Sequence, residues 1–136
     1  MKIVNLIDNL PLVFASMFVA ILFTQSALDK VFNYKGNLEW LTGHFEKSIL
    51  RGQVPFMLPV VTVLELAAGI GAAGGLVYFL VTGVSTIIFY SSIVGAVALC
   101  ALFFGQRVAQ DYPGAAVLVP YFILQLILIY LSKRAG

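Results

Sequence analysis

The sequence contains few charged residues, and this shortage excludes several classes of protein. Only 10% of the residues are charged, compared with about 25% in ordinary soluble domains. A water-exposed globule of this composition would present large apolar patches and aggregate. The few lysine and arginine residues form no basic stripe along any segment. We therefore expect no nucleic-acid partner.

Cysteine and histidine occur once each, as Cys100 and His44. A single cysteine forms no disulfide within the chain and no C-x-x-C redox pair. A single histidine excludes a haem held by two histidines, and no His/Cys cluster suits zinc. We therefore predict no metal site, expect His44 to be solvated in a loop, and assign no catalytic residue.

No recognisable cofactor motif is present. The glycine-rich run "GIGAAGG" at 69–75 lacks the lysine and the preceding strand that a phosphate-binding loop requires. The aromatic side chains are more typical of lipid-facing or core positions than of a quinone pocket.

Long apolar stretches are what the sequence has in abundance, since 61% of its residues are hydrophobic. A transmembrane helix needs about 20 apolar residues, and four stretches qualify, at about 10–32, 55–80, 84–104 and 113–131. Backbone groups in lipid must form their hydrogen bonds internally, so each stretch is predicted to be helical. We predict an all-α fold, with residues 1–136 forming a single membrane domain, a four-transmembrane-helix bundle in contact with membrane lipids. The first stretch is too long for a cleaved signal peptide, and we expect it to be retained.

The longest segment between two apolar stretches lies at 37–50. Its apolar residues Leu38, Leu41, Phe45 and Ile49 recur at spacings of three and four, which places them on one helical face. Trp40 is of the type found at membrane interfaces. The predicted fold therefore includes a short amphipathic helix on the membrane surface. The alternative is an ordered loop packed over the mouth of the bundle.

Small residues predict where the helices approach one another. Ala67, Gly71 and Gly75 recur at a spacing of four, and Ser91 and Gly95 offer a similar face on the third stretch. Small side chains let helix backbones come close together, which is how helices associate in lipid. We predict a helix-packing role for these five residues.

Charge inside the apolar stretches is rare, and Glu65 is the only charged residue from Pro55 to Phe104. It lies roughly 9–15 Å into its helix, where a charge costs about 2.5–3.5 kcal/mol on insertion scales. Lys30 is the obvious partner, because it lies near the end of the first stretch on the same side of the membrane. We predict a polar intramembrane cluster of Asp29, Lys30, Glu65, Gln25 and Gln125. The structural alternative is that Lys30 anchors the helix end while Glu65 locks two helices together.

The segments "FTQSALDKVF" and "LPVVTVLELAAGIGAAGGL", separated by an amphipathic stretch, resemble the DoxX-like family of small four-helix integral membrane proteins. The likeness is carried by Lys30 at the end of the first stretch, by Glu65 in the second, and by the small residues that follow Glu65. It covers nearly the whole chain by hydropathy, although the family usually has glycine where this chain has Ala27. The resemblance implies a link to thiosulfate:quinone oxidoreductase and terminal oxidase systems, and with it a quinone or a lipid as the class of ligand to expect.

The expected function is that of an accessory or structural subunit of a larger respiratory or redox membrane complex, with other membrane protein subunits as partners. An isolated chain with so little catalytic equipment is not expected to be an enzyme. The alternatives are a quinone-linked membrane oxidoreductase subunit and a small transporter or membrane chaperone. We expect a multi-pass protein of the bacterial inner membrane.

The orientation of the chain has two opposing signals. The number of Lys and Arg residues favours a cytoplasmic position for the long connection, whereas Lys2, Lys133 and Arg134 lie tightly against helix ends and favour cytoplasmic termini. With the support of the family resemblance, we expect cytoplasmic termini.

Overall fold

The chain folds into α-helices joined by short connections. The computed structural model describes residues 3–135, so Lys2, which enters the orientation argument, lies outside the described residues. The described part contains six helices: α1 (Ile3–Asp8), α2 (Leu10–Phe32), α3 (Tyr34–His44), α4 (Val54–Thr82), α5 (Thr86–Val108) and α6 (Tyr112–Ala135). No strand occurs within this range. The predicted all-α fold class is thus confirmed.

The four longest helices, α2, α4, α5 and α6, cover the four apolar stretches. Each is long and apolar enough to cross a membrane, and the set indicates a multi-pass membrane protein. Prolines and glycines mark the ends of the helices. α2 and α4 each carry a proline in the first turn, where its missing N–H costs nothing.

Sequential packing builds the bundle. α2 packs mainly on α4, α4 on α5 and α5 on α6, while a smaller contact between α2 and α6 closes the ring. Only residues 83–85 separate α4 from α5. Gly83 adopts a left-handed conformation (φ 79°), and its N–H donates to the Phe79 carbonyl at 2.7 Å. Glycine accepts this conformation without steric cost, which lets the chain reverse within three residues.

The core of the bundle is apolar but contains buried small and polar residues. All four long helices contribute to it, with Phe23 of α2, Phe79 of α4, Ile88 of α5 and Leu128 of α6 among its largest members. Many large apolar side chains elsewhere on these helices face outward. That arrangement suits lipid as the surrounding solvent, because lipid tails are as apolar as the core.

The helix predicted in the long connection is present as α3, but it begins earlier and ends earlier than expected. Leu38 and Leu41 pack with the buried Phe45 against Val54 and Leu58 at the start of α4. Ile49 does not share this face. The helix ends at His44, so helical spacing no longer applies to Ile49, which is 84% exposed. The position of α3 relative to the membrane stays a prediction.

Candidate functional site

Lys30 and Glu65 meet between α2 and α4. Lys30 lies in the last turn of α2, and Glu65 lies about three turns into α4. The two helices form one of the largest contacts in the bundle, and this contact brings the Lys30 Nζ to 2.9 Å from the Glu65 Oε1. The Glu65 side chain is 1% exposed and that of Lys30 is 16% exposed. The carboxylate is therefore cut off from water, while the ammonium lies near the edge of the bundle.

Ser26 completes the surroundings of the ammonium. It lies one turn before Lys30 on α2, and its Oγ accepts a hydrogen bond from the Lys30 Nζ at 2.9 Å. The contact between Nζ and the Glu65 Oε1 has a hydrogen-bond distance, but Oε1 accepts no hydrogen bond of good angle among the described residues. We therefore treat the contact as an ion pair held mainly by charge attraction.

The ion pair is electrically neutral as a unit. An ammonium has three N–H donors. The Ser26 Oγ accepts a hydrogen bond from one of these N–H groups, and the Glu65 carboxylate lies beside the ammonium. The Lys30 ammonium can therefore donate a further hydrogen bond, at a position that has no net charge and is largely shielded from water. A neutral hydrogen-bond acceptor can bind there without adding an unpaired charge, whereas an added anion would compete with Glu65.

Gln25 and Asp29, which the sequence assigned to this cluster, lie outside it. Both are exposed, and neither side chain contacts Lys30 or Glu65 through a hydrogen bond or ion pair in the described chain. Successive residues on a helix are rotated by about 100°. When Ser26 and Lys30 face α4, Gln25 and Asp29 therefore point elsewhere. The Asp29 carbonyl accepts from the Asn33 N–H at 3.0 Å at the end of α2 and from the Asn37 Nδ2 at 3.4 Å.

Gln125 is buried in a separate part of the bundle. It lies on α6 and is 0% exposed, and both its side chain and that of Phe23 of α2 lie close to Gly95 of α5. Neither its Nε2 nor its Oε1 has a hydrogen-bond partner among residues 3–135. No hydrogen bond joins it to Lys30 or Glu65. Gln125 is thus an isolated buried amide rather than a member of the ion-pair cluster.

Replacing Gln125 with leucine should stabilise the bundle. The change keeps most of the side-chain volume and removes a buried amide without partners, whose desolvation costs about 1–3 kcal/mol. We expect a higher midpoint in thermal unfolding of the protein in mild detergent, with unchanged helix content. A lower midpoint would show that the amide is hydrogen-bonded in the native protein, which would contradict the isolated state described above.

Four of the five predicted packing residues lie between helices. A Cβ built on Gly71 would lie 2.9 Å from the Ser91 Cβ, and one built on Gly75 would lie 2.9 Å from the Ile88 N. Gly95 is buried against Gln125 in the same way. A Cβ on Gly71 or Gly75 would collide with atoms that cannot rotate away, whereas one on Gly95 would meet the ends of the Gln125 and Phe23 side chains. These positions bring α4 to α5 and α5 to α6.

Ala67 is the exception, because it is exposed. A spacing of four residues rotates a helical position by about 40° per step. Two steps separate Ala67 from Gly75, so it has turned away from α5. Gly69 takes a comparable role toward α2, where its Cα lies against the backbone of Thr24. The spacing rule missed Gly69 because α4 packs on two neighbours and needs two faces of small residues.

His44 is joined to the bundle instead of being solvated. Its side chain is 16% exposed, and its Nε2 lies 2.8 Å from the Gln106 Oε1 and 3.6 Å from the Asp111 Oδ2. The His44 ring stacks on Trp40 at a centroid distance of 4.6 Å. Asp111 also accepts a hydrogen bond from the Gly114 N–H at the start of α6. This network ties α3 to the ends of α5 and α6.

Within residues 3–135, no group of three or more His, Cys, Asp or Glu side chains could hold a metal ion. The cysteine thiol of Cys100 is free and exposed.

Comparison with protein families, curated proteins and solved structures found no match to this chain. The resemblance to the DoxX-like family therefore stays a prediction.

Proposed function

We propose that the chain is an accessory or structural subunit of a larger respiratory or redox complex in the bacterial inner membrane. The DoxX-like resemblance supplies the type of complex. The arrangement of the helices supplies the argument for a subunit that needs neighbours. Both termini would lie in the cytoplasm, a placement that rests on the exposed Lys133 and Arg134 at the end of α6.

The observation that carries the proposal is the sparse packing of α6. Only 17% of its most apolar window is buried within the chain, compared with 39% for α2 and α4 and 33% for α5. Its contact with α2 is also small, so the ring of helices is weakly closed on that side. Helix association in lipid depends on packing area. A helix with this little packing in its own chain offers the largest face for a helix of another subunit.

Purification from the inner-membrane fraction tests the proposal. A chain with a C-terminal tag, extracted in mild detergent, should carry stoichiometric membrane subunits that mass spectrometry identifies. The tag should be cleaved by protease in inverted vesicles and protected in intact spheroplasts. Recovery of the chain alone, with only lipid bound, would contradict the subunit proposal.

A bulky substitution on the exposed face of α6 locates the contact. Ile123 on α6 and Val63 on α4 are both exposed large apolar residues. Ile123→Trp should lower the yield of co-purified subunits, because a packed helix has no room for the added ring. Val63→Trp is the matched control and should leave the yield unchanged, since lipid tails adapt to its shape. Equal losses from both variants would remove α6 as the contact.

A further inference from the structure

A cavity of about 250 Å³ lies between α3, α4 and α5, with Lys30 of α2 contributing to its lining. Most of the wall is apolar: Leu41 and Phe45 come from the α3 side, Met57 and Val61 from α4, and Ala101 and Leu102 from α5. Ligand sites for drug-sized molecules are about 300–1,000 Å³. The cavity thus has room for one head group or a short length of one hydrocarbon chain.

The polar side chains of the lining are those of Lys30, Asn37, Trp40 and Gln106. Lys30, Trp40 and Gln106 carry N–H donors. The Asn37 Nδ2 already donates to the Asn33 carbonyl, which leaves the Asn37 Oδ1 as an acceptor. The Gln106 Oε1 is already engaged by His44, which leaves its NH2 group as the available end. The Lys30 charge is balanced by Glu65. A cluster of donors with no net charge fits an oxygen acceptor that is itself neutral.

We propose that this cavity binds the carbonyl-bearing head of a neutral amphipathic molecule, whose hydrocarbon chain lies along α4 and α5. The carbonyl oxygen has two lone pairs, so it accepts from at most two of the donors of Lys30, Trp40 and Gln106, and the hydrocarbon chain contacts Val61, Ala101 and Leu102. An ester carbonyl of a membrane glycerolipid and a ring carbonyl of a quinone share this chemistry. The site does not depend on a partner subunit, so its failure and that of the proposed function are separate results.

Trp40 makes the proposal directly measurable. It is the single tryptophan of the chain and it lines the cavity, so all tryptophan fluorescence reports on this position. The full-length protein in mild detergent is titrated with two quenching probes. One is decylubiquinone, and the other is a phosphatidylcholine with brominated acyl chains. Binding at the cavity should give saturable quenching.

Two matched variants separate binding from general partition into the detergent micelle. Ala73 and Ala101 are both exposed, but only Ala101 lines the cavity. Ala101→Phe should therefore place a ring in the cavity, whereas Ala73→Phe adds the same ring to α4 outside the lining. The apparent Kd should rise by at least about tenfold in Ala101→Phe and stay unchanged in Ala73→Phe. Thermal unfolding and helix content of both variants verify that the bundle is intact.

Each outcome of the titration either distinguishes a quinone from a glycerolipid as the ligand or contradicts binding at the cavity. Saturable quenching by decylubiquinone alone, lost in Ala101→Phe, identifies a quinone-type carbonyl. Saturable quenching by the brominated lipid alone identifies a glycerolipid, and both together identify a site for the shared chemistry. Linear quenching by both probes, or equal quenching in the two variants, would show that the cavity binds neither and would overturn the proposal.

Discussion

Replacing Lys30 with methionine should destabilise the bundle strongly, and replacing Glu65 with leucine as well should restore part of the loss. The single change leaves the Glu65 carboxylate, which is 1% exposed, without its cation. Removing one partner of a buried ion pair costs about 3–5 kcal/mol, whereas replacing both with apolar groups of similar volume is often neutral. The double variant Lys30→Met/Glu65→Leu should therefore be more stable than Lys30→Met.

The two single variants should differ from each other. In Glu65→Leu the ammonium that remains is 16% exposed and still bonds to Ser26. A lysine near a helix end can also extend its head toward water. We expect Glu65→Leu to cost less than Lys30→Met for this reason.

Unfolding of the four proteins in mild detergent gives a double-mutant cycle that isolates the pair energy. Lys35→Met is the matched control, because Lys35 is exposed on α3 and forms no ion pair in the described chain. It should change the stability by no more than about 0.5 kcal/mol. If the losses of Lys30→Met and Glu65→Leu simply add in the double variant, the two groups do not stabilise each other and the pair has no energetic role.

The helices were predictable because their signals are strong and local. An apolar stretch just long enough to cross a membrane leaves little freedom in where its helix begins and ends. Gly83 lies where the chain must reverse between two such stretches, and glycine allows a short turn there. The contact between Lys30 and Glu65 was predictable because charged residues are so rare in the apolar stretches. Where one charge stands among fifty apolar positions, the nearest opposite charge on a neighbouring helix is the natural partner.

The rotation of each helix about its axis was not predictable in the same way. Apolar residues surround α4 on nearly all sides, so no polar face tells which side points inward. The polar residues at the end of α2 spread over a wider arc than the face that meets α4. That is why Gln25, Asp29 and Ala67 were placed in contacts they do not make. The network of His44 was missed for another reason, since Gln106 is distant in sequence and no periodicity links the two.

Replacing Gly69 with alanine should also destabilise the bundle strongly, because α2 and α4 approach closely at this residue. Gly69 lies four residues after Glu65 on α4, one turn from the ion pair. A Cβ at this position would lie 2.6 Å from the Thr24 N and 3.0 Å from the Thr24 Cα. These are backbone atoms and cannot rotate away, so α2 and α4 would have to separate. The loss should be about 3 kcal/mol for Gly69→Ala, at the upper end of the usual cost of overpacking.

Gly74→Ala is the matched control, because it makes the same chemical change on the same helix. A Cβ on Gly74 meets no atom of residues 3–135 within 4 Å, and alanine is favoured over glycine inside a helix by about 1 kcal/mol. Gly74→Ala should thus leave the unfolding midpoint in detergent unchanged or raise it, while Gly69→Ala should lower it. The same separation should weaken the ion pair, so Lys30→Met should cost less in a Gly69→Ala background than in the native chain. Equal midpoints for the two alanine variants would mean that α2 and α4 do not approach at Gly69, and the position of Lys30 against Glu65 would then lose its structural basis.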